Sequence, residues 1–158
     1  MTQPSIVALR DHPEALDAVA GWIDKEWGSF SGRTLQQTRE RFAVELNGTA
    51  LPTSCVALEG GRPLGVATLR ERDSVDWDPA VTPWVCNVYV IEEARGKAVA
   101  ASLCRALEEI ARRLGHRYIY LATVMAEGSL YHRLGYVRYR TYDAFEHPMY
   151  LMRRPLGE

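Results

Sequence analysis

Two features of this 158-residue sequence predict a mixed α/β fold. Short β-branched and aromatic runs alternate with segments whose apolar residues recur at helical spacing. One strand-like run, Thr82 to Val90, also passes through a turn of small residues straight into an amphipathic helix. A third observation bounds the size: with 47% hydrophobic residues and no repeat, low-complexity tract or Ser/Gly linker, the chain suits one domain over residues 1–158.

Each element follows from its own residues. Ser5–Arg10 has strand character, and Asp11-His-Pro-Glu14 reads as a helix start, with an acceptor, a first-turn Pro and a Glu three residues on. Leu16, Val19, Ala20 and Ile23 then set one apolar face on the core. Trp27-Gly-Ser-Phe-Ser-Gly32 reads as a loop carrying two exposed aromatics. Thr34 with Gln37 repeats the cap pattern, opening a second helix through Leu35, Phe42 and Leu46 to the Asn47-Gly48 stop. Ser54–Leu58 and Leu64–Leu69 are strand runs around a Gly-rich hairpin connection. Arg70–Asp78 is an acid-rich loop, and Thr82–Val90 is the most strand-like run, dense in aromatic and β-branched residues. Leu103, Leu107, Ile110 and Leu114 then mark a helix closed by Gly115, with charged residues opposite. Arg117–Thr123 is a buried strand, Glu127–Leu134 a short helix ending at Gly135, and Tyr136–Tyr142 with Pro148–Arg153 a closing strand pair. The expected order is β-α-α-β-β-β-α-β-α-β-β.

Charge and cysteine usage exclude several classes. A net charge of −1 and a pI near 6.4 remove the electrostatic footprint of a duplex-DNA binder, so nucleic acid is not an expected partner. The longest charge-free stretches fall short of the roughly 18 apolar residues a membrane span needs. The N-terminus lacks the basic and long apolar regions of a signal peptide, which makes the cytosol the expected compartment. Cys55, Cys86 and Cys104 lie far apart inside apolar runs, without metal-ligand spacing, and are expected as reduced, buried thiols.

The chemistry concentrates in the crossover Val88-Tyr-Val-Ile-Glu-Glu-Ala-Arg95-Gly96-Lys97-Ala98-Val99-Ala100-Ala101. Unpaired main-chain N–H groups and the positive end of the helix dipole meet at such a helix start, and small side chains let a phosphate approach. Arg95 and Lys97 add positive charge, which favours a diphosphate-bearing ligand. The same alanines also suit plain helix–sheet packing, and spacing alone leaves both readings open. Neither a GxxxxGK[ST] loop nor a GxGxxG fingerprint is present.

At this run the sequence resembles the GNAT superfamily of N-acetyltransferases, whose acetyl-CoA loop follows [RQ]xxGx[GA] after a splayed central strand. Leu130-Tyr131-His-Arg-Leu-Gly135-Tyr136 resembles that family's second signature, and the order of elements along nearly the whole chain is similar. The resemblance implies a central mixed, largely antiparallel sheet flanked by helices on both faces. It implies that Arg95, Gly96, Lys97, Ala98, Val99, Ala100 and Ala101 bind the CoA diphosphate through main-chain N–H groups. Val88, Tyr89 and Val90 would hold the pantetheine arm, with a main-chain N–H serving as oxyanion donor. Tyr131 would protonate or stabilise the departing thiolate after direct attack by the acceptor amine in a ternary complex. The loop departs from the pattern at Ala98, where the family usually has Gly, and Val124 stands where it often has Asn.

The implied activity is transfer of acetyl from acetyl-CoA, as co-substrate, to a primary amine on a small molecule or peptide, with no metal. The rival reading is a GNAT-fold binding module with weakened catalysis, sensing acetyl-CoA or a partner protein. No residue announces itself as the base; among Glu26, Asp73, Asp76 and Asp78, Asp73 is the preferred candidate, and His132 is disfavoured because adjacent helix residues point about 100° apart. Trp27 is the preferred wall of the acceptor site, with Trp22 assigned to the core. Dimers are common in the family, so a homodimer is one expected state, although no patch in the sequence marks an interface.

Overall fold

The computed structural model describes residues 3–48, 50–73, 75–144 and 146–157. Along the chain, β1 (Ser5–Ala8) leads through two 3-10 turns to α1 (Leu16–Ser31) and α2 (Leu35–Ala43). Next come β2 (Thr53–Glu59), β3 (Arg62–Arg70), β4 (Trp84–Val90) and α3 (Val99–Arg113). The chain then runs through β5 (Tyr118–Thr123), α4 (Leu130–Arg133), β6 (Val137–Ala144) and β7 (His147–Pro155). The strands form one seven-stranded sheet in the order β1-β2-β3-β4-β5-β7-β6. Its pairs β1–β2, β5–β7 and β6–β7 are antiparallel, and β4–β5 is parallel through Trp84 and Tyr120. This is the mixed, mostly antiparallel α/β architecture the sequence predicts.

Residues up to Thr68 together with Asn87–Leu107 form one compact unit. Its core gathers Leu9, Leu16, Val19, Ala20, Ile23, Phe42, Val56 and Val66, so the predicted apolar face of α1 is the buried one. Thr34 and Gln37 form a full capping box at the start of α2, with Gln37 N–H donating to Thr34 Oγ1 at 3.1 Å. The β2–β3 connection is tighter than the sequence suggested. Gly60 and Gly61 turn the chain alone, both at positive φ, as a two-residue hairpin loop of this kind requires.

Three local expectations in this unit are corrected. Trp27–Ser31 is helical, not a loop: α1 continues because Trp27 packs against the core cluster, and it stops only at Gly32, whose φ is 73°. The Asp11–Glu14 start is a pair of 3-10 turns without a side-chain cap; Glu14 pairs with His12 at 3.0 Å instead of closing a capping box. α2 ends at Ala43, and Val44–Asn47 tighten into a 3-10 turn that buries Glu45.

Leu69–Cys86 and the residues from Glu108 onward form the second unit. Trp84, Tyr120 and Leu151 make an aromatic-rich core joined by Trp77, Val81, Tyr139 and Tyr142. α3 ends in the expected Gly115 cap: His116 N–H reaches Ala111 O and Gly115 N–H reaches Arg112 O, a Schellman arrangement with Gly115 at φ 88°. Leu114, expected on the apolar face, is 48% exposed because it lies beyond the last helical residue. Ser74, inside the acidic loop, falls outside the described residues. No described helix is long and apolar enough to cross a membrane.

Candidate functional site

In the first unit, β4 carries a backbone feature its sequence does not advertise. Asn87 sits at φ 56°, in the left-handed region, in the middle of a strand. Asn tolerates that conformation better than its β-branched neighbours would. Val88 and Tyr89 beyond it are half-buried and Val90 is buried. Gly65 of β3 is required by this approach, because a Cβ there would meet Tyr89 O at 2.9 Å and both Leu103 and Val90 side chains at 3.2 Å. Ile91 N–H anchors the end of the strand to Leu64 O at 2.9 Å.

After a 3-10 turn over Glu92–Ala94, the segment Arg95-Gly96-Lys97-Ala98 is exposed and turns into α3. Two successive departures from ordinary φ make the turn: Gly96 at 77° and Ala98 at 62°. For Gly96 that conformation is unstrained, whereas a methyl-bearing residue loses roughly 1–2 kcal/mol there. Ala98 O accepts from both Ser102 N–H and Ser102 Oγ at 3.1 Å, which makes it the residue that opens the helix. Its side chain has no acceptor with which to cap the first turn. The early N–H groups of α3 have no intrahelical partners, the arrangement that suits an anion.

Arg95 contributes less free charge than the sequence suggested. Its Nε donates to Val90 O at 2.9 Å, and its guanidinium lies over the Tyr89 ring at 5.6 Å, so it braces the turn. Lys97 is exposed. Tyr89 also stacks on Trp22 with ring centroids 5.6 Å apart, which ties α1 to the strand. Trp22 is thus the indole that meets the candidate strand. Trp27 packs half-buried on the core cluster of the same unit.

Tyr131 belongs to the second unit. It sits half-buried on α4, whose start is capped by Ser129: the hydroxyl accepts from His132 N–H at 3.2 Å and donates to Ala126 O at 2.8 Å. Tyr131 meets Tyr136 edge-on at 6.0 Å, and Tyr136 N–H returns to Tyr131 O at 2.9 Å across Gly135, whose φ is 99°. That return explains the Tyr-x-x-x-Gly-Tyr spacing. His132 is committed to the loop, with Nδ1 accepting from Gly128 N–H at 3.1 Å.

The acids of the 70–78 loop are engaged within their own unit. Asp73 accepts from Trp77 Nε1 at 3.3 Å, and Asp76 pairs with Arg72 at 3.3 Å. Asp78 is nearly buried, accepting from Tyr139 Oη at 3.3 Å and Ala80 N–H at 3.2 Å, with Arg140 at 3.5 Å. Burial first, and then the Asp78 carboxylate, push the Tyr139 hydroxyl well above the usual tyrosine range.

Asn87 and the Trp22–Tyr89 stack escaped the sequence reading. One signal could have found Asn87: it is the lone amide in the run Val85-Cys-Asn-Val-Tyr-Val90, and an Asn among strand formers marks a bend.

The fold matches an aminoglycoside 6'-N-acetyltransferase complexed with coenzyme A, with a TM-score of 0.76 at 14% identity over 98% of both chains. It matches a GCN5-related N-acetyltransferase from Kribbella flavida with a TM-score of 0.75 at 23% identity, over 97% of this chain and 98% of that one. The aminoglycoside 6'-N-acetyltransferase from Enterococcus faecium gives 0.73 at 14% identity, over 98% of each chain. No curated protein sequence matches. Residues 16–136, which contain β4, the Arg95–Ala98 turn, α3 and the Tyr131–Tyr136 segment, match the family described as "Acetyltransferase (GNAT) family", and the chain belongs to that family.

Proposed function

We propose that this protein is an acetyl-CoA-dependent N-acetyltransferase that acts on a primary amine by direct attack in a ternary complex. The observation that carries the reading is the start of α3: two positive-φ residues and an opening residue without a side-chain acceptor leave early main-chain N–H groups without intrahelical partners near the exposed Lys97. The residues fit the co-substrate. Arg95 through Ala101 would hold its diphosphate, and Val88–Val90 its pantetheine arm.

In the proposed reaction the lone pair of a neutral amine forms a bond to the acetyl carbon while the carbon–sulfur bond breaks. A main-chain N–H of Val88–Val90 takes the charge that develops on the carbonyl oxygen. Tyr131 supplies a proton to the departing thiolate, and the amine proton leaves to solvent, with Asp73 the preferred carboxylate to take it. The aminoglycoside acetyltransferases of similar fold support a small-molecule amine as acceptor, with a polyamine or a peptide amino group as the other classes to test.

An amine panel with thiol-release detection tests the activity. Tyr131→Phe is expected to lower kcat about 100-fold, within the range for loss of a general acid, while acetyl-CoA affinity changes little. An unchanged kcat would remove the general-acid role. A second reading, a binding module that senses acetyl-CoA, draws support from Ala98 at φ 62°, where the family usually has Gly. Acetyl-CoA binding without turnover of any amine would favour it.

A further inference from the structure

A buried polar relay crosses the first unit and ends at Asn87. Glu45, Ser54 and Thr68 are all essentially inaccessible to solvent. Ser54 Oγ donates to Glu45 Oε1 at 2.9 Å and lies 2.7 Å from Thr68 Oγ1, which in turn accepts from Asn87 Nδ2 at 3.2 Å. Burial and then the Glu45 carboxylate push the neighbouring Cys55 thiol up to about 11, with Arg10 acting in the opposite sense.

With Ser54 donating to Glu45, the relay runs in one direction. Each hydroxyl has a single proton to give. The Ser54 proton goes to Glu45, so Thr68 must donate to Ser54, and Thr68 can then only accept from Asn87. The amide orientation of Asn87, with Nδ2 donating to Thr68 Oγ1, agrees with that chain of donors. Nδ2 is turned toward the buried Thr68, and among the described residues Oδ1, on the other side of the amide, has no hydrogen-bond partner.

The position of this carbonyl gives it a use. Asn87 immediately precedes Val88–Val90, and the proposed diphosphate turn lies past the other end of the strand. An arm running back along Val90, Tyr89 and Val88, at about 3.3 Å per residue, brings its acetyl end toward Asn87. A neutral primary amine attacking there keeps two N–H groups to offer. We propose that Asn87 Oδ1 binds an N–H of the acceptor amine, and that Glu45, Ser54 and Thr68 are positioning residues that lock this carbonyl outward. A carbonyl in that place recognises a donor and gives nothing to the oxyanion, which separates it from the main-chain donors of β4. The inference rests on the acetyltransferase reading above.

The test compares two substitutions at Thr68, using kanamycin, spermidine and a peptide with a free N-terminus as acceptors. Thr68→Val keeps the buried position filled but breaks the relay; Thr68→Ser keeps the hydroxyl and leaves a small void. Thr68→Val is expected to raise the KM of the accepted amine about tenfold, the scale of one lost hydrogen bond, while the KM of acetyl-CoA stays within about twofold. Thr68→Ser should rescue it. A packing role would reverse the ranking, because Val fills the site and Ser does not. Equal amine KM in Thr68→Val and wild type, failure of Thr68→Ser to rescue, or a parallel rise in acetyl-CoA KM would overturn the proposal. Should Thr68→Val fail to fold by circular dichroism, Asn87→Gly, which suits the same backbone conformation, gives the same readout. Turnover of no amine by the wild-type protein would remove the acetyltransferase reading itself, and this inference with it.

Discussion

The Arg95–Ala98 turn and the Asp73–Asp78 loop carry opposite formal charge, and they present it in opposite ways. In the acidic loop Asp73, Asp76 and Asp78 are engaged by Trp77, Arg72, Tyr139 and Ala80 of the same unit. In the basic turn Arg95 is folded back on Val90 and Tyr89, which leaves the exposed Lys97 and the main chain at the start of a helix to meet a ligand. Formal charge read along a sequence is therefore a poor guide to the charge a ligand meets. The turn offers backbone dipoles, and much of the acidity of the loop is spent on its own structure.

The largest test of that contrast is in the acidic loop. Asp78→Ala is expected to destabilise the fold by about 1–2 kcal/mol in urea titrations, because it removes the nearly buried carboxylate to which the half-buried Tyr139 hydroxyl and the Ala80 N–H donate. Asp76→Ala, which removes an exposed ion pair, should cost under about 1 kcal/mol. Equal losses would mean that the two carboxylates are equally idle. The same cluster gives a pH signature. Tyr139 titrates higher in the folded protein than the ordinary value of 10.0, so its contribution is whole below pH 10 and is lost as pH rises from there toward the folded value. Tyr139→Phe should flatten that alkaline decline in stability.

Two substitutions probe the turn. Ala100→Glu adds a carboxylate to the first turn of α3, where it favours the helix dipole by about 0.3–1 kcal/mol yet repels a diphosphate. Its melting temperature should hold or rise while acetyl-CoA affinity falls by at least about tenfold. A parallel loss of both would mean that the helix start serves packing alone. The smallest effect is expected from Ala98→Gly. Relief of the left-handed methyl is offset by about 0.4–1 kcal/mol of added unfolded-chain freedom, so net stability should change by less than about 1 kcal/mol and acetyl-CoA affinity should improve severalfold. No gain in affinity would show that the strain at Ala98 is irrelevant to binding.

How much of this was legible in sequence depended on the kind of signal. The apolar face of α1, the Thr34–Gln37 box and the Gly115 cap were readable because each is a local rule written in a few neighbouring residues. The extent of α1 was not: Trp27-Gly-Ser-Phe-Ser reads as a loop, and packing of Trp27 on the core cluster of its unit keeps it helical. Ala98 departs from the family's loop pattern in sequence, and its backbone stands at φ 62°, a conformation Gly adopts without strain. The relay from Glu45 to Asn87 was invisible, because its members come from a turn and three strands that only the sheet brings together. Tyr131 stood out through its spacing to Gly135 and Tyr136, whereas the engagement of Asp73, Asp76 and Asp78 depends on side-chain geometry that no spacing rule encodes.

The central claim is that the start of α3 is a ligand site for acetyl-CoA, and a thermal-shift titration tests it most directly. A ligand that binds only the folded state at a hundred times its Kd adds about 2.7 kcal/mol, which for a chain of this size is a rise of roughly 5–10 °C in melting temperature. A saturable rise of that order with acetyl-CoA is the predicted result. An unmoved melting temperature at millimolar acetyl-CoA would contradict it.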